Sequence, residues 1–235
     1  METLEELTSF DLQLYQPRLG YRYSLDAFLL ARFCAEVPTA GTIIDLGAGC
    51  GVISLVLARL NATASAVAVE NNREMAVFVE RNIRHNGLGG RVSVHAEDII
   101  NLKKRYPVST FDLVVSNPPF RTPGSGKVSP RTGRDAARHE TTAGLADFLA
   151  AAKYLVKPSG RICFIQLPSR LAEFMSLAAG MKLSLLRARM IHNDSESPAI
   201  LFMAELAKGR KCAPVVEAPL FVRDVDQEYT GQVRR

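Results

Sequence analysis

The chain has 235 residues, of which 47% are hydrophobic and 23% charged, a globular balance that excludes a disordered or collagenous protein. No apolar run reaches the ~18–20 residues that span a bilayer. The acidic, polar start METLEELTSFDLQ is unlike a signal or transit peptide, so a cytoplasmic location without a membrane partner is expected. A net charge of +5 permits a polyanionic partner without requiring one.

The four cysteines, Cys34, Cys50, Cys163 and Cys212, form no CxxC pair and have no histidine at metal-ligand spacing. They read as reduced thiols, with neither a metal site nor a disulfide framework. There is no internal repeat and no low-complexity linker, so residues 1–235 are expected to form one domain.

In chain order, SLDAFLLARFCA (24–35) predicts a helix that Ser24 can cap, with Asp26 at the positive end of the helix dipole. It would make residues 1–38 a helical cover segment. GTIIDLG (41–47) reads as a buried strand and turn, VISLVLARL (52–60) as a helix, and SAVAVE (65–70) as a second strand. NREMAVFVERNIRHNG (72–87) predicts a helix stopped at Asn86-Gly87, followed by the strand RVSVHAED (91–98). FDLVVSNPPF (111–120) is a strand running into a double-proline turn. Residues 121–142 are a polar loop rich in Gly, Pro and Arg, and a loop of that length is usually functional. A helix over 143–158 broken at Pro158, a strand over 160–168 and a helix over 169–180 follow. The strands 182–193 and 198–209 lack an intervening helix and would form an antiparallel hairpin. In the tail, 210–235, LFVRDV (220–225) reads as a short extra strand.

Alternating strands and helices give a parallel sheet with helices on both faces. With a closing hairpin, this resembles the Rossmann-like class I methyltransferases: a mostly parallel seven-stranded sheet with an antiparallel C-terminal hairpin. In such sheets ligands bind at the carboxyl ends of the strands, near the switch point in strand order.

Two features fall at strand carboxyl ends. The first is the loop Asp45-Leu46-Gly47-Ala48-Gly49-Cys50-Gly51, whose alternate glycines let the backbone turn tightly and approach a ligand. Its spacing is not the GxGxxG of nicotinamide enzymes. Asp45 suits an ammonium group better than a pyrophosphate. Glu70, ending the second strand, can accept from a ribose diol, and Asp98, ending the third, from an adenine amino group. Ammonium, ribose and adenine together describe S-adenosylmethionine. Asn71 and Ile99, beside these acids, join Gly47, Ala48, Gly49 and Gly51 as candidate cofactor contacts, as does Asn117.

The second feature is Asn117-Pro118-Pro119-Phe120. The prolines stiffen the turn and leave its carbonyls free to accept. The Asn117 oxygen and the Pro118 carbonyl can both accept from one planar NH2 group, and Phe120 can stack on its ring. Two acceptors localise the lone pair of an otherwise poor aryl-amine nucleophile and stabilise the charge that develops on methylation. Holding the nitrogen in line with the sulfonium methyl supplies the rest. The turn alone does not choose between a base and an amide.

These residues resemble the (N/D/S)PP(Y/F) amino-methylating class I methyltransferases. The flanks QPRLGYRYSLDAFLLARF (16–33), ARHE (137–140) and RMIHNDSESPAILFMAELAKG (189–209) resemble the tRNA1(Val) adenine-37 N6-methyltransferase family. That resemblance implies Asp45, Gly47, Gly49, Glu70 and Asp98 as cofactor contacts and Asn117 to Phe120 as the catalytic turn. It also implies an RNA partner, a tRNA, with the unpaired adenosine 3′ of the anticodon as target. Phe120 stands where many relatives carry Tyr, which removes any role for a phenolic hydroxyl. In the loop, Arg121, Arg131, Arg134 and Arg138 are candidate phosphate contacts or an ordinary solvated face, with Lys127 adding to the positive charge. His139 and Glu140 order the loop, line a substrate pocket, or form a solvated pair. Arg22 and Tyr23 cover the cofactor or pack the N-terminal helix. The alternatives are a glutamine-N5 methyltransferase acting on a protein, a guanine-N2 rRNA methyltransferase, and a non-catalytic binding module. The first expects an additional N-terminal helical domain, for which residues 1–44 are too few.

Overall fold

The computed structural model describes residues 2–19, 22–37, 41–120, 143–210, 212–226 and 228–234. It opens with a hairpin of β1 (Glu2–Leu7) and β2 (Leu12–Pro17), followed by α1 (Leu25–Ala35). Then come β3 (Thr42–Leu46), α2 (Val52–Leu60), β4 (Ser65–Glu70), α3 (Arg73–His85), β5 (Val92–Ala96), α4 (Leu102–Arg105) and β6 (Phe111–Ser116). After the undescribed stretch 121–142 follow α5 (Leu145–Leu155), β7 (Val156–Gln166), α6 (Leu171–Gly180), β8 (Leu183–His192) and β9 (Ala199–Lys208). The tail adds β10 (Val215–Val216), β11 (Leu220–Phe221) and α7 (Gly231–Arg234). Among the described residues, no helix is long and apolar enough to cross a membrane.

The main sheet runs β10-β8-β9-β7-β6-β3-β4-β5. Strands β5, β4, β3, β6 and β7 are mutually parallel, and β9 enters antiparallel between β7 and β8. The expected mostly parallel sheet with a C-terminal antiparallel hairpin is therefore present. Its seven strands grow to nine because β10 and β11 each pair with the outer edge of β8. Extra pairing there covers an edge that would otherwise expose unpaired backbone. The short strand expected within 220–225 is β11.

One face of the sheet packs α1, α2 and α3 around Leu30, Leu55, Val56, Val79 and Ile165. The other packs α5 and α6 around Ile44, Leu149, Phe164, Phe174 and Phe202. Strand order reverses between β3 and β6, since β4 and β5 lie to one side and β7 to the other. Leu46 and Ser116 are register partners at that point, and Ser116 Oγ donates to the Leu46 carbonyl at 2.7 Å. The two chains leaving these strands begin side by side.

Three local expectations need correction. The cover segment 1–38 is not helical throughout: residues 2–17 form the antiparallel hairpin β1–β2. The cause is a period of two, with Leu12, Leu14 and Gln16 buried and their neighbours half-exposed. Ser24 occupies the N-cap of α1 in extended conformation, but its side chain makes no capping hydrogen bond. The helix over 143–158 ends at Leu155, and β7 begins at once, with Pro158 inside it. Register shifts opposite this stretch, between Phe111 and Leu113, so the proline sits in an irregular part of the strand that needs no ladder donor. By contrast α3 stops as expected, with Gly87 at φ +65°. The loop 121–142, with Arg121, Lys127, Arg131, Arg134, Arg138, His139 and Glu140, lies outside the described residues.

The hairpin is held by two asparagines, Asn82 of α3 and Asn86, which caps its C-terminus. Asn82, fully buried, accepts from Tyr15 N at 2.7 Å and donates to Tyr15 O and to Cys50 O, both at 2.9 Å. Asn86 accepts from Gln13 N at 2.9 Å and donates to Gln13 O at 2.8 Å. Asn82 thus joins the hairpin, the helix and the glycine loop. Asn82→Ala, which strands all three backbone groups, is expected to lower the unfolding free energy by about 2–4 kcal/mol in urea titration. Asn82→Asp should fare no better, because a carboxylate cannot donate to two carbonyls.

Candidate active site

A cavity of about 260 Å³ opens at the carboxyl ends of β3, β4, β5 and β6. Gly47 and Gly49 form its floor, Glu70, Asn71 and Asn72 follow β4, and Asp98 and Ile99 follow β5. Asn117, Pro118, Pro119 and Phe120 follow β6, and Phe148 of α5 closes one side. The remaining wall is Arg22, Tyr23, Ser24 and Asp26, from the segment that leads into α1.

The glycine loop is shaped by backbone geometry. Gly47, Gly49 and Gly51 have φ of +76°, +59° and +90°, a region that side chains rarely adopt. At Gly47 a Cβ would also lie 3.3 Å from the Phe148 ring, and at Gly51 3.0 Å from Val79 Cγ1. Gly47 N and Ala48 N both donate to Val69 O at 2.9 Å, which stitches the loop to β4.

Glu70 is nine-tenths buried, and its two carboxylate oxygens accept from Gly49 N at 2.7 Å and Asn72 N at 2.9 Å. Burial pushes its carboxyl above the ordinary value, opposed by these backbone donors. Asp98 accepts from Ile100 N at 3.1 Å, starting the short turn that carries Ile99 into the cavity. Among the described residues, nothing hydrogen-bonds the Asn117 side chain, which leaves its oxygen available to a ligand.

Asp45 differs from the other acids. It is fully buried behind the loop and is absent from the cavity lining. Its Oδ2 accepts from Ser54 Oγ at 2.9 Å, while Oδ1 has no partner. Burial pushes its carboxyl up to about 7, despite the Ser54 hydrogen bonds. Ala48 and Gly51 shape the loop but likewise do not line the cavity. The sequence reading left Arg22 and Tyr23 between two roles, and both line the cavity. Ser24, Asp26, Val69, Asn72, Met75, Ala143 and Phe148 also line it without having been expected there. Asp26 carried a signal, an acid in the first turn of an apolar helix. Phe148 carried none, being one of several core-type residues on α5. Cys34, Cys50 and Cys163 are buried and Cys212 is exposed.

The topology and a ligand cavity at the switch point define a class I methyltransferase, and the methyltransferase small domain model matches residues 26–168. Within that class the chain belongs to the family of tRNA1(Val) (adenine(37)-N6)-methyltransferases. It is 31% identical over 218 residues to the protein of that name from Shigella dysenteriae, covering 91% of this chain and 85% of the relative. The namesake from Salmonella arizonae is 30% identical over 216 residues, with the same coverage. The fold is shared with a predicted O-methyltransferase of Agrobacterium tumefaciens, at TM-score 0.70 and 22% identity over 88% of this chain and 93% of that one. It is also shared with a ribosomal protein L11 methylase of Lactobacillus delbrueckii, at TM-score 0.60 and 15% identity over 83% and 84%.

Asp45 has a measurable consequence. In the unfolded chain its carboxyl titrates near ~4, and in the fold near 7. The folded state therefore holds the extra proton between those values. The stability this contributes is complete below ~4 and is lost as pH rises through about 7. Urea titrations of the ligand-free protein and of Asp45→Asn at pH 5 and pH 8 should show the wild type losing about 2–4 kcal/mol more than the variant. Equal losses would mean that Asp45 stays ionised throughout.

Proposed function

We propose that the chain transfers a methyl group from S-adenosylmethionine to the N6 amino group of an adenine in RNA, adenosine-37 of tRNA1(Val), and does so in the cytoplasm. The observation that carries this reading is the pairing of β3 with β6, which opens the glycine loop and the Asn117–Phe120 turn into one cavity.

The residues fit the cofactor. Among the described residues, three acids, Glu70, Asp98 and Asp26, line the cavity against one guanidinium, Arg22. A further buried carboxylate oxygen behind the loop lacks a partner. That excess of negative charge favours a cationic ligand. Glu70 would hold the ribose hydroxyls, Asp98 and Ile99 the adenine, and Gly47, Gly49 and Asn71 the chain that leaves the ribose through sulfur. Ala48 and Gly51 would keep the loop in shape, and a cationic ligand would favour ionisation of the buried Asp45 behind it. When bound, the cofactor supplies an electrophilic methyl group on a sulfonium centre.

The chain's own part is to orient the acceptor. Asn117 Oδ1 and the Pro118 carbonyl accept from the two amino hydrogens, so the nitrogen lone pair localises away from the ring. Pro118 and Pro119 hold these acceptors in a turn with few alternatives. Phe120 stacks on the base and helps keep it out of its own stack, and a loop nucleotide needs little energy to leave one. The product proton leaves to water, so no shifted base is needed. Arg121, Arg131, Arg134 and Arg138 would grip RNA phosphates, with His139 beside them.

The test is transfer of labelled methyl onto transcripts of tRNA1(Val) carrying A37 or G37, alongside total ribosomal RNA and protein. Label on the A37 transcript alone is expected. Label on protein would favour the glutamine reading, and label on rRNA guanine the N2 reading. Asn117→Ala should lower transfer by about a hundredfold or more while leaving S-adenosylhomocysteine affinity within a few-fold. Full activity in that variant would sink the mechanism.

A further inference from the structure

Three parts of the cavity are used by the reading above: the ends of β4 and β5 for the nucleoside, the turn after β6 for the acceptor, and the glycine loop between them. The fourth wall is the segment between the hairpin and α1. It presents one cationic and one anionic side chain, Arg22 and Asp26, on either side of Ser24, the N-cap residue of α1.

Arg22 is fixed from the hairpin side. Its guanidinium is ion-paired with Glu5 and donates to Thr3 Oγ1 at 3.2 Å, both residues of β1. The second Glu5 oxygen accepts from Tyr23 O–H at 2.6 Å, so that carboxylate is shared between two donors. A guanidinium has five N–H donors, and those left over have no acceptor among the described residues. Asp26 lines the cavity in the first turn of α1 and has no hydrogen-bond or ion-pair partner among the described residues. No ion pair joins Asp26 to Arg22 there, so neither cancels the other. Asp45, the acid that the sequence suggests for an ammonium group, sits sealed behind the loop with Ser54.

A fixed cation and an open anion on one wall match a zwitterion. We infer that Arg22 and Asp26 form a clamp for the amino-acid end of the cofactor, Arg22 binding its α-carboxylate and Asp26 its α-ammonium. The inference rests on the cofactor reading above. It gives the N-terminal hairpin a purpose in the site: β1 supplies Glu5 and Thr3, which hold the guanidinium in place. Arg22 suits this role because its planar fork pairs with a carboxylate through parallel hydrogen bonds.

Calorimetric titration with three thioether nucleosides tests the clamp without turnover. S-Adenosylhomocysteine carries both charged groups, 5′-deoxy-5′-(3-aminopropylthio)adenosine only the ammonium, and 5′-methylthioadenosine neither. Arg22→Met should weaken S-adenosylhomocysteine by about ten- to fiftyfold and leave the other two within about twofold. Asp26→Asn should weaken the first two by about five- to thirtyfold and spare 5′-methylthioadenosine. Arg22→Lys should recover part of the loss, because it keeps the charge without the fork. Should Arg22→Met loosen the hairpin, Asp26→Asn, nearly the same shape, still decides the ammonium half, and Arg22→Lys the carboxylate half. Parallel weakening of all three ligands, or of none, overturns the clamp. A wild-type protein that binds none of the three overturns the cofactor reading instead.

Discussion

The site depends on a single pairing in the sheet. β3 and β6 are neighbours although three helices and two strands separate them in sequence. Chain order reverses there, so connections leave in opposite directions and a crevice opens above the two strand ends. The register sets Leu46 against Ser116, and Ser116 Oγ locks that last rung to the Leu46 carbonyl. One residue further on stand Gly47 and Asn117. A parallel slip by one residue would turn the following side chains to the other face of the sheet. The spacing between the glycine loop and the Asn117–Phe120 turn is thus set by core strands and not by the loops themselves.

Charge is the second constraint, and it acts against the fold. Asp45 and Glu70 end adjacent strands, and both carboxyls are buried. Burying carboxylates disfavours their charged form, and the nearby Glu70 raises the proton affinity of Asp45 further. Glu70 recovers part of this by accepting from Gly49 N and Asn72 N. The same hydrogen bonds pull the glycine loop toward β4. Asp45 recovers less, because Oδ1 stays without a partner. A cation in the cavity would relieve both acids, so the ligand-free fold holds a local electrostatic cost that binding removes.

Most of the fold was legible in the sequence because the core elements announce themselves. SAVAVE and FDLVVS are short apolar runs ending in polar residues, and α3 is bounded by Asn72 and by Asn86-Gly87. The glycine loop and the Asn117–Phe120 turn, which the fold brings into one cavity, stood out for a different reason: each is a rare residue combination at a strand end. What failed was local and short. The hairpin was hidden because LQLYQP alternates over only three buried positions, in a stretch whose first half is acidic. The end of α5 was misplaced because Pro158 looks like a helix stop but sits within an irregular strand. Asp45 looked equivalent to Glu70, since spacing does not say which side of a loop a side chain takes.

The hairpin also explains why the site's fourth wall escaped a motif reading. Its functional side chains come from a segment whose geometry is fixed by contacts distant in sequence. Asn82 ties Tyr15 of β2 to Cys50 of the glycine loop, so one buried amide sets the hairpin against the cofactor floor. From β1, Glu5 then reaches Arg22 and Tyr23. Gln16 adds a further hold, its oxygen accepting from Tyr23 N at 3.3 Å. Each step is an ordinary polar contact, and none marks a site by itself. Together they carry position from α3, through the hairpin, to a guanidinium at the cavity wall. A segment that looks like packing in the sequence is therefore held by the same residue that holds the glycine loop, and the two walls of the cavity are fixed relative to each other.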